Sequence, residues 1–147
     1  MRTLSVVLLL GLVPPLAADG PKEMSDEEKL QGEWVMVGLE VREEAVPAEK
    51  LAGTTLIVKK DKYTTVVKKK EYPITFKLDQ KQDPKHIDMY IPDDSGEPQL
   101  SRGIYKIEKD KLTICRGQAP GGDRPRNFVS SAANDHFVVT WERKVKP

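Results

Sequence analysis

Apolar and polar residues alternate along this chain in short runs separated by turn-forming residues. Tyr72, Ile74, Phe76 and Leu78 share one parity, with Thr75 and Lys77 on the other. Ile87, Met89 and Ile91 repeat the pattern, as do Phe137, Val139 and Trp141. A period of two buries one face of a strand and leaves the other wet, as a closed or sandwiched antiparallel sheet requires. Strands are expected at about residues 33–42, 54–60, 63–70, 72–79, 86–91, 101–108, 111–117, 126–131 and 136–143. The first strand differs from the others. Val35, Val37, Leu39 and Val41 form one apolar face and Trp34 and Met36 the opposite one, so it is expected to be central or covered at an end.

Helical signals are brief. Ser25-Asp26-Glu27-Glu28 places a serine three residues before a glutamate, the pattern of a capping box. Gly32 and the strand pattern follow at once, which limits the helix to one or two turns ending near Leu30. Pro47-Ala48-Glu49-Lys50-Leu51, with Gly53 beyond it, predicts a single turn. The chain therefore reads as mostly β. A faint echo links Leu56-Ile57-Val58-Lys59-Lys60-Asp61-Lys62-Tyr63 to Ile104-Tyr105-Lys106-Ile107-Glu108-Lys109-Asp110-Lys111-Leu112. Each is a strand, a Lys-Asp-Lys turn and a strand, and shared hairpin physics explains the echo.

The N-terminus follows a different pattern. Arg2, an apolar run from Leu4 to Val13, Pro14-Pro15 and Leu16-Ala17-Ala18 have the order of a secretory signal peptide with a cut after Ala18. That run is well short of the ~20 residues that span a bilayer. The expected organisation is a signal peptide at 1–18, a flexible lead and short helix at 19–29, and one folded domain at 30–147. The protein is thus expected to be exported, to a periplasmic or extracellular location, with no membrane span in the mature chain. Removing Arg2 with the leader brings the 24 basic side chains level with the 23 acidic ones. Such a balance offers no electrostatic footprint for nucleic acid. Lys68-Lys69-Lys70 reads as a charged hairpin end. The single Cys115 has no partner for an internal disulfide and reads as a small buried side chain.

Several stretches together resemble one family: LQGEW at 30–34, VPAEKLAGTTLIVKKDKY at 46–63, FKLD at 76–79, IDM at 87–89, GIYKIEKDKLTIC at 103–115, DRP at 123–125 and WER at 141–143. In this order they are similar to small lipocalin-like domains of exported planctomycete proteins. The resemblance implies a single antiparallel lipocalin-like β-barrel of about eight to nine strands, and it brings no catalytic residues with it. In barrels of the wider lipocalin type the Trp of Gly-x-Trp closes one end under a basic side chain from the last strand. By position these are Trp34 and Arg143, which are expected to form a structural plug. A long C-terminal helix, a disulfide pair and a second lipocalin motif are missing from the sequence.

His86 and Asp88 could share a strand face, but no third metal ligand is suggested, and no metal or other cofactor is expected. Ser130, Ser131, Asp135 and His136 are near in sequence, yet no nucleophile elbow encloses either serine. Asp93-Asp94-Ser95-Gly96 reads as a solvated turn, and Arg124 in the Gly-Pro-rich stretch 117–125 as an anchor. The barrel interior remains, drawn from Ile74, Phe76, Met89, Tyr105, Ile107 and Trp141. The leading expectation is a non-enzymatic carrier of a small apolar or amphipathic ligand. Phe76, Met89, Tyr105 and Trp141 are the ligand-binding candidates, with Tyr105 supplying an orienting hydrogen bond. The alternative is a fully packed barrel that presents loops or an edge to an envelope protein, and a third is a barrel enzyme using carboxylates.

Overall fold

A computed structural model describes residues 20–145; residues 1–19, where a signal peptide is expected, and 146–147 lie outside it. The strands are β1 (Gly32–Val41), β2 (Glu44–Ala45), β3 (Thr55–Lys59), β4 (Lys62–Val67), β5 (Lys70–Asp79), β6 (Lys85–Pro92), β7 (Pro98–Glu108), β8 (Lys111–Gly117) and β9 (His136–Arg143). Two helices, α1 (Asp26–Leu30) and α2 (Ala48–Leu51), complete the described elements. All pairings are antiparallel between neighbours, and β9 returns to β1, so eight strands close into a barrel and β2 extends one flank. None of the described helices is long and apolar enough to cross a membrane.

Local chemistry accounts for the elements. Ser25 caps α1 through the Glu28 amide while the Glu28 carboxylate accepts from Ser25 N–H at 2.7 Å, which is the capping box read from sequence. The tips of β1–β2 and β4–β5 hold Arg42-Glu43 and Lys68-Lys69, all at positive φ, as tight hairpins require. Lys60 and Lys109 occupy equivalent tip positions at φ 58° and 56°, so the two echoing segments are indeed similar hairpins. Asp93 organises the β6–β7 turn by accepting from Ser95 N–H at 2.9 Å and Glu97 N–H at 3.0 Å.

Two expectations need correction. The first strand does not keep one parity. Met36 pairs with Trp141 and Gly38 with Thr140, leaving Val37 as an extra bulged residue. A bulge shifts the pleat by one position. Trp34 and Met36 therefore face the interior before it, and Leu39 and Val41 after it, while Val37 is exposed. The second correction concerns 126–131, which forms no strand. β8 already pairs with β9 and the barrel offers no free edge there. Residues 118–135 instead cross the outer wall as a strap. Arg124 donates to Gly103 C=O at 2.7 Å and to Ile87 C=O at 3.3 Å, and its guanidinium meets Asp88 Oδ1 at 2.7 Å. Ser130 donates to Glu40 Oε1 at 2.7 Å and accepts from the Glu43 amide. Cys115 is fully buried, and burial pushes its thiol up to about 11.

One end of the barrel is sealed. The Arg143 guanidinium lies 4.2 Å from the Trp34 ring centre and donates to the carbonyls of Gln31 and Lys29. Trp34 Nε1–H donates to Leu30 C=O at 2.9 Å, which ties α1 across the opening. The family-derived plug is thus present as a contact. Beside it, Asp26 is buried and its Oδ2 accepts from Lys85 Nζ and from the Tyr105 hydroxyl, both at 2.7 Å. Burial alone would raise the Asp26 carboxyl. The hydrogen bonds from Lys85 and Tyr105 and the charges of Lys85 and Lys29 outweigh it and hold the group below its ordinary value of 3.8.

Two outcomes follow from this end. Replacing Arg143 by Met removes the cation over the indole and unpairs two carbonyls, so unfolding in urea should show a loss of about 2–4 kcal/mol, with Arg143→Lys losing less. Asp26 has a depressed folded value, so its ionisation stabilises the fold above 3.8 and that contribution is lost as pH falls through the depressed value. The stability gap between wild type and Asp26→Asn should be constant near neutrality and close in acid, as read by urea midpoints across pH.

Candidate functional site

The opposite end of the barrel is open. Because strands run antiparallel, the tips at 42–43, 68–69 and 93–97 and the strap 118–135 all surround this mouth, while the tips at 60–61 and 109–110 lie with the plug. From the mouth a cavity of about 460 Å³ enters the lumen. That volume falls within the range of small-molecule sites, about 300–1,000 Å³. Its apolar wall comes from every quarter of the barrel, through Met36 and Leu39 of β1, Ile74 of β5, Met89 of β6, Ile114 of β8 and Val139 of β9. The bulge at Val37 is what turns Leu39 and Val41 into this wall. Of the other hollows, those beside Glu108–Lys111 and beside Glu27–Gln31 lie at the plugged end among charged side chains, and one lies on the strap among Asp123–Asn127 and His136.

The floor of the cavity is aromatic. Tyr63 packs edge-on against Trp141 at 6.4 Å between ring centres and against Phe76 at 6.3 Å. Trp141 is buried, and its Nε1–H, adjacent to the Tyr63 hydroxyl, has no hydrogen-bond partner of good geometry among the described residues. Burial drives the Tyr63 hydroxyl well above its ordinary value, so it stays protonated. His136 Nδ1 is likewise buried without a hydrogen-bond partner among the described residues.

One charged side chain lines the cavity, and it is Arg116. Its guanidinium stacks 4.5 Å from the Phe137 ring centre and donates weakly to Ser101 Oγ at 3.4 Å and to Gly117 C=O at 3.2 Å. No carboxylate among the described residues forms an ion pair with it, although Arg124 and Arg143 each have one. Burial depresses the Arg116 guanidinium from its ordinary value, while it remains a cation at neutral pH. Room for it is made by Gly103, which pairs with Arg116 across β7–β8. A Cβ on Gly103 would meet Cys115 C=O at 2.9 Å and both Arg116 Cβ and Ile87 Cγ2 at 3.1 Å.

The four candidate residues separate into two groups. Met89 and Trp141 line the cavity. Phe76 and Tyr105 are buried but lie outside its lining. Phe76 packs below Tyr63, and the Tyr105 hydroxyl is committed to Asp26 at the plugged end, so it is not the orienting group in this cavity. Arg116 is the polar residue that sequence reasoning missed. The signal was present: Leu112, Ile114 and Arg116 share one parity, so an arginine falls in phase with a buried face. Among the described residues, no three His, Cys, Asp or Glu side chains gather into a metal-binding group. Comparison with protein-family models, curated proteins and solved structures found no match to this chain.

Gly103→Ala should cost about 1–3 kcal/mol, because backbone C=O and two side-chain roots must all give way. Thermal unfolding of the variant checks the size of the loss.

Proposed function

We propose that this protein is an exported, non-enzymatic, lipocalin-like carrier that holds a small apolar or amphipathic molecule in its barrel. The observation that carries the reading is the open lumen, a 460 Å³ apolar cavity in a domain otherwise closed and plugged at its far end. A barrel of eight strands is wide enough either to fill with its own side chains or to hold one small ligand. Here the plug, the aromatic floor and the mouth leave the upper half of the lumen for a guest. The cavity lining contains neither a carboxylate nor a histidine or cysteine, so the usual acid–base and nucleophile sets are missing from that wall. The cavity also weighs against the alternative of an envelope interaction module, whose premise is a filled barrel. Large exposed apolar side chains such as Val37, Tyr72 and Val129 sit on separate elements.

Native mass spectrometry of the mature chain, purified from its own cell envelope, tests the reading. A reproducible small-molecule adduct that disappears on denaturation is expected. A bare mass, together with failure to take up a neutral environment-sensitive dye such as Nile red, would sink the carrier.

A further inference from the structure

The charge in the lumen has one sign. Its lining includes one cation, Arg116, beside neutral polar groups on Thr65, Tyr72 and Gln118, and no acidic side chain stands in the wall. The groups around Arg116 are Phe137 from β9, Ser101 from β7, its own neighbour Gly117 and, farther off, the Tyr63 hydroxyl from β4. None of them carries a negative charge at neutral pH. A guanidinium in an apolar cavity with two marginal hydrogen bonds is left with donors to spare. Elsewhere in this molecule arginines that leave bulk water are paired: Arg124 with Asp88 at 2.7 Å and Arg143 with Asp110 at 3.4 Å.

We propose that Arg116 is the head-group site for the cargo, and that the cargo is a single-chain amphiphile with a carboxylate head. This rests on the carrier reading above and adds to it the chemical class of the ligand. A carboxylate matches the planar fork of a guanidinium with two parallel hydrogen bonds and supplies the missing charge. The tail lies along the apolar wall built by Met36, Leu39, Ile74, Met89 and Val139. Branched or bulky cargo is disfavoured by a cavity of this volume inside an eight-strand ring. The same arrangement rejects cationic amphiphiles, whose head would be placed against Arg116.

Dodecanoate, dodecanol and dodecyltrimethylammonium, each below its aggregation threshold, provide matched tails with three heads. Binding is followed at pH 7 by calorimetry and by the fluorescence of Trp141, with Trp34→Phe removing the other tryptophan signal. Wild type should bind dodecanoate at least tenfold more tightly than dodecanol, and the ammonium most weakly. Arg116→Met should bring acid and alcohol to equal affinity, and Arg116→Lys should keep part of the preference. Ligand-free Arg116→Met should melt at the same temperature as wild type or higher, since an unpaired partly buried charge has been replaced by an apolar side chain. A melting temperature that falls by several degrees would make Arg116 a structural residue and overturn the proposal. Equal affinity of wild type for acid and alcohol overturns it as well, while leaving the carrier standing. Failure of all three probes to bind overturns both. The wild-type comparison decides the matter even if the variants do not fold.

Discussion

The seam between β1 and β9 is the constraint on which the rest of this molecule depends. It joins strands from opposite ends of the described chain, with Trp34 against Arg143 and Val41 against Phe137 in one antiparallel register. Without that pairing the sheet would be an open, strongly curved ribbon with two unpaired edges and no interior. With it, Arg143 is delivered over the Trp34 ring and to the carbonyls at the end of α1, so the act of closing the wall also closes the floor. The plug is therefore a by-product of register. A slip of one residue would turn every side chain of β9 to the opposite face.

The same seam contains the bulge at Val37, and this sets the upper half of the lumen. Below it, Trp34 and Met36 point inward; above it, Leu39 and Val41 do so, and the strand changes parity without leaving the barrel. The consequence is an apolar lining that continues to the mouth. Polar chemistry is distributed unequally about this axis. At the plugged end Asp26, Lys85 and Tyr105 satisfy one another, and Trp34 Nε1–H has a carbonyl. Toward the mouth Arg116 is left with donors to spare. A fold that pairs its polar groups at one end and leaves donors open at the other has placed its unspent interactions where a guest can reach them.

The strap from 118 to 135 gives the barrel a second small core on its outside. Ile104 and Cys115 point away from the lumen but are fully buried, and Pro125 and Ser130 are buried with them. Arg124 fastens this layer through two backbone carbonyls and Asp88, which is the anchoring role its position in the Gly-Pro-rich stretch had suggested. Strap and bulge meet at Glu40 and Glu43, where Ser130 bonds to both. Support for the mouth thus comes from outside as well as from the ladder.

Features that depend on neighbours close along the chain are legible in its amino-acid order. Alternation in 72–78, 86–91 and 137–141 marked the strands and their buried faces, the Ser25–Glu28 spacing marked the cap of α1, and Pro47 with Gly53 bracketed α2. These signals are local because propensity and pleat act over two to four residues. The resemblance carried by Trp34 and Arg143 pointed further, to a contact across more than one hundred positions. The rest depends on contacts between segments far apart in the chain. The segment 126–131 looks like a strand until one sees that β8 and β9 leave it no edge, and Val37 looks to share a face with Leu39 and Val41 until closure inserts the bulge. Tyr105 and Arg116 make the same point for the site. Both lie on buried faces of adjacent strands, yet one meets Asp26 at the plug and the other meets no anion among the described residues. Which of two buried polar groups is satisfied depends on what the far side of the barrel brings opposite it, and no local pattern in the chain encodes that.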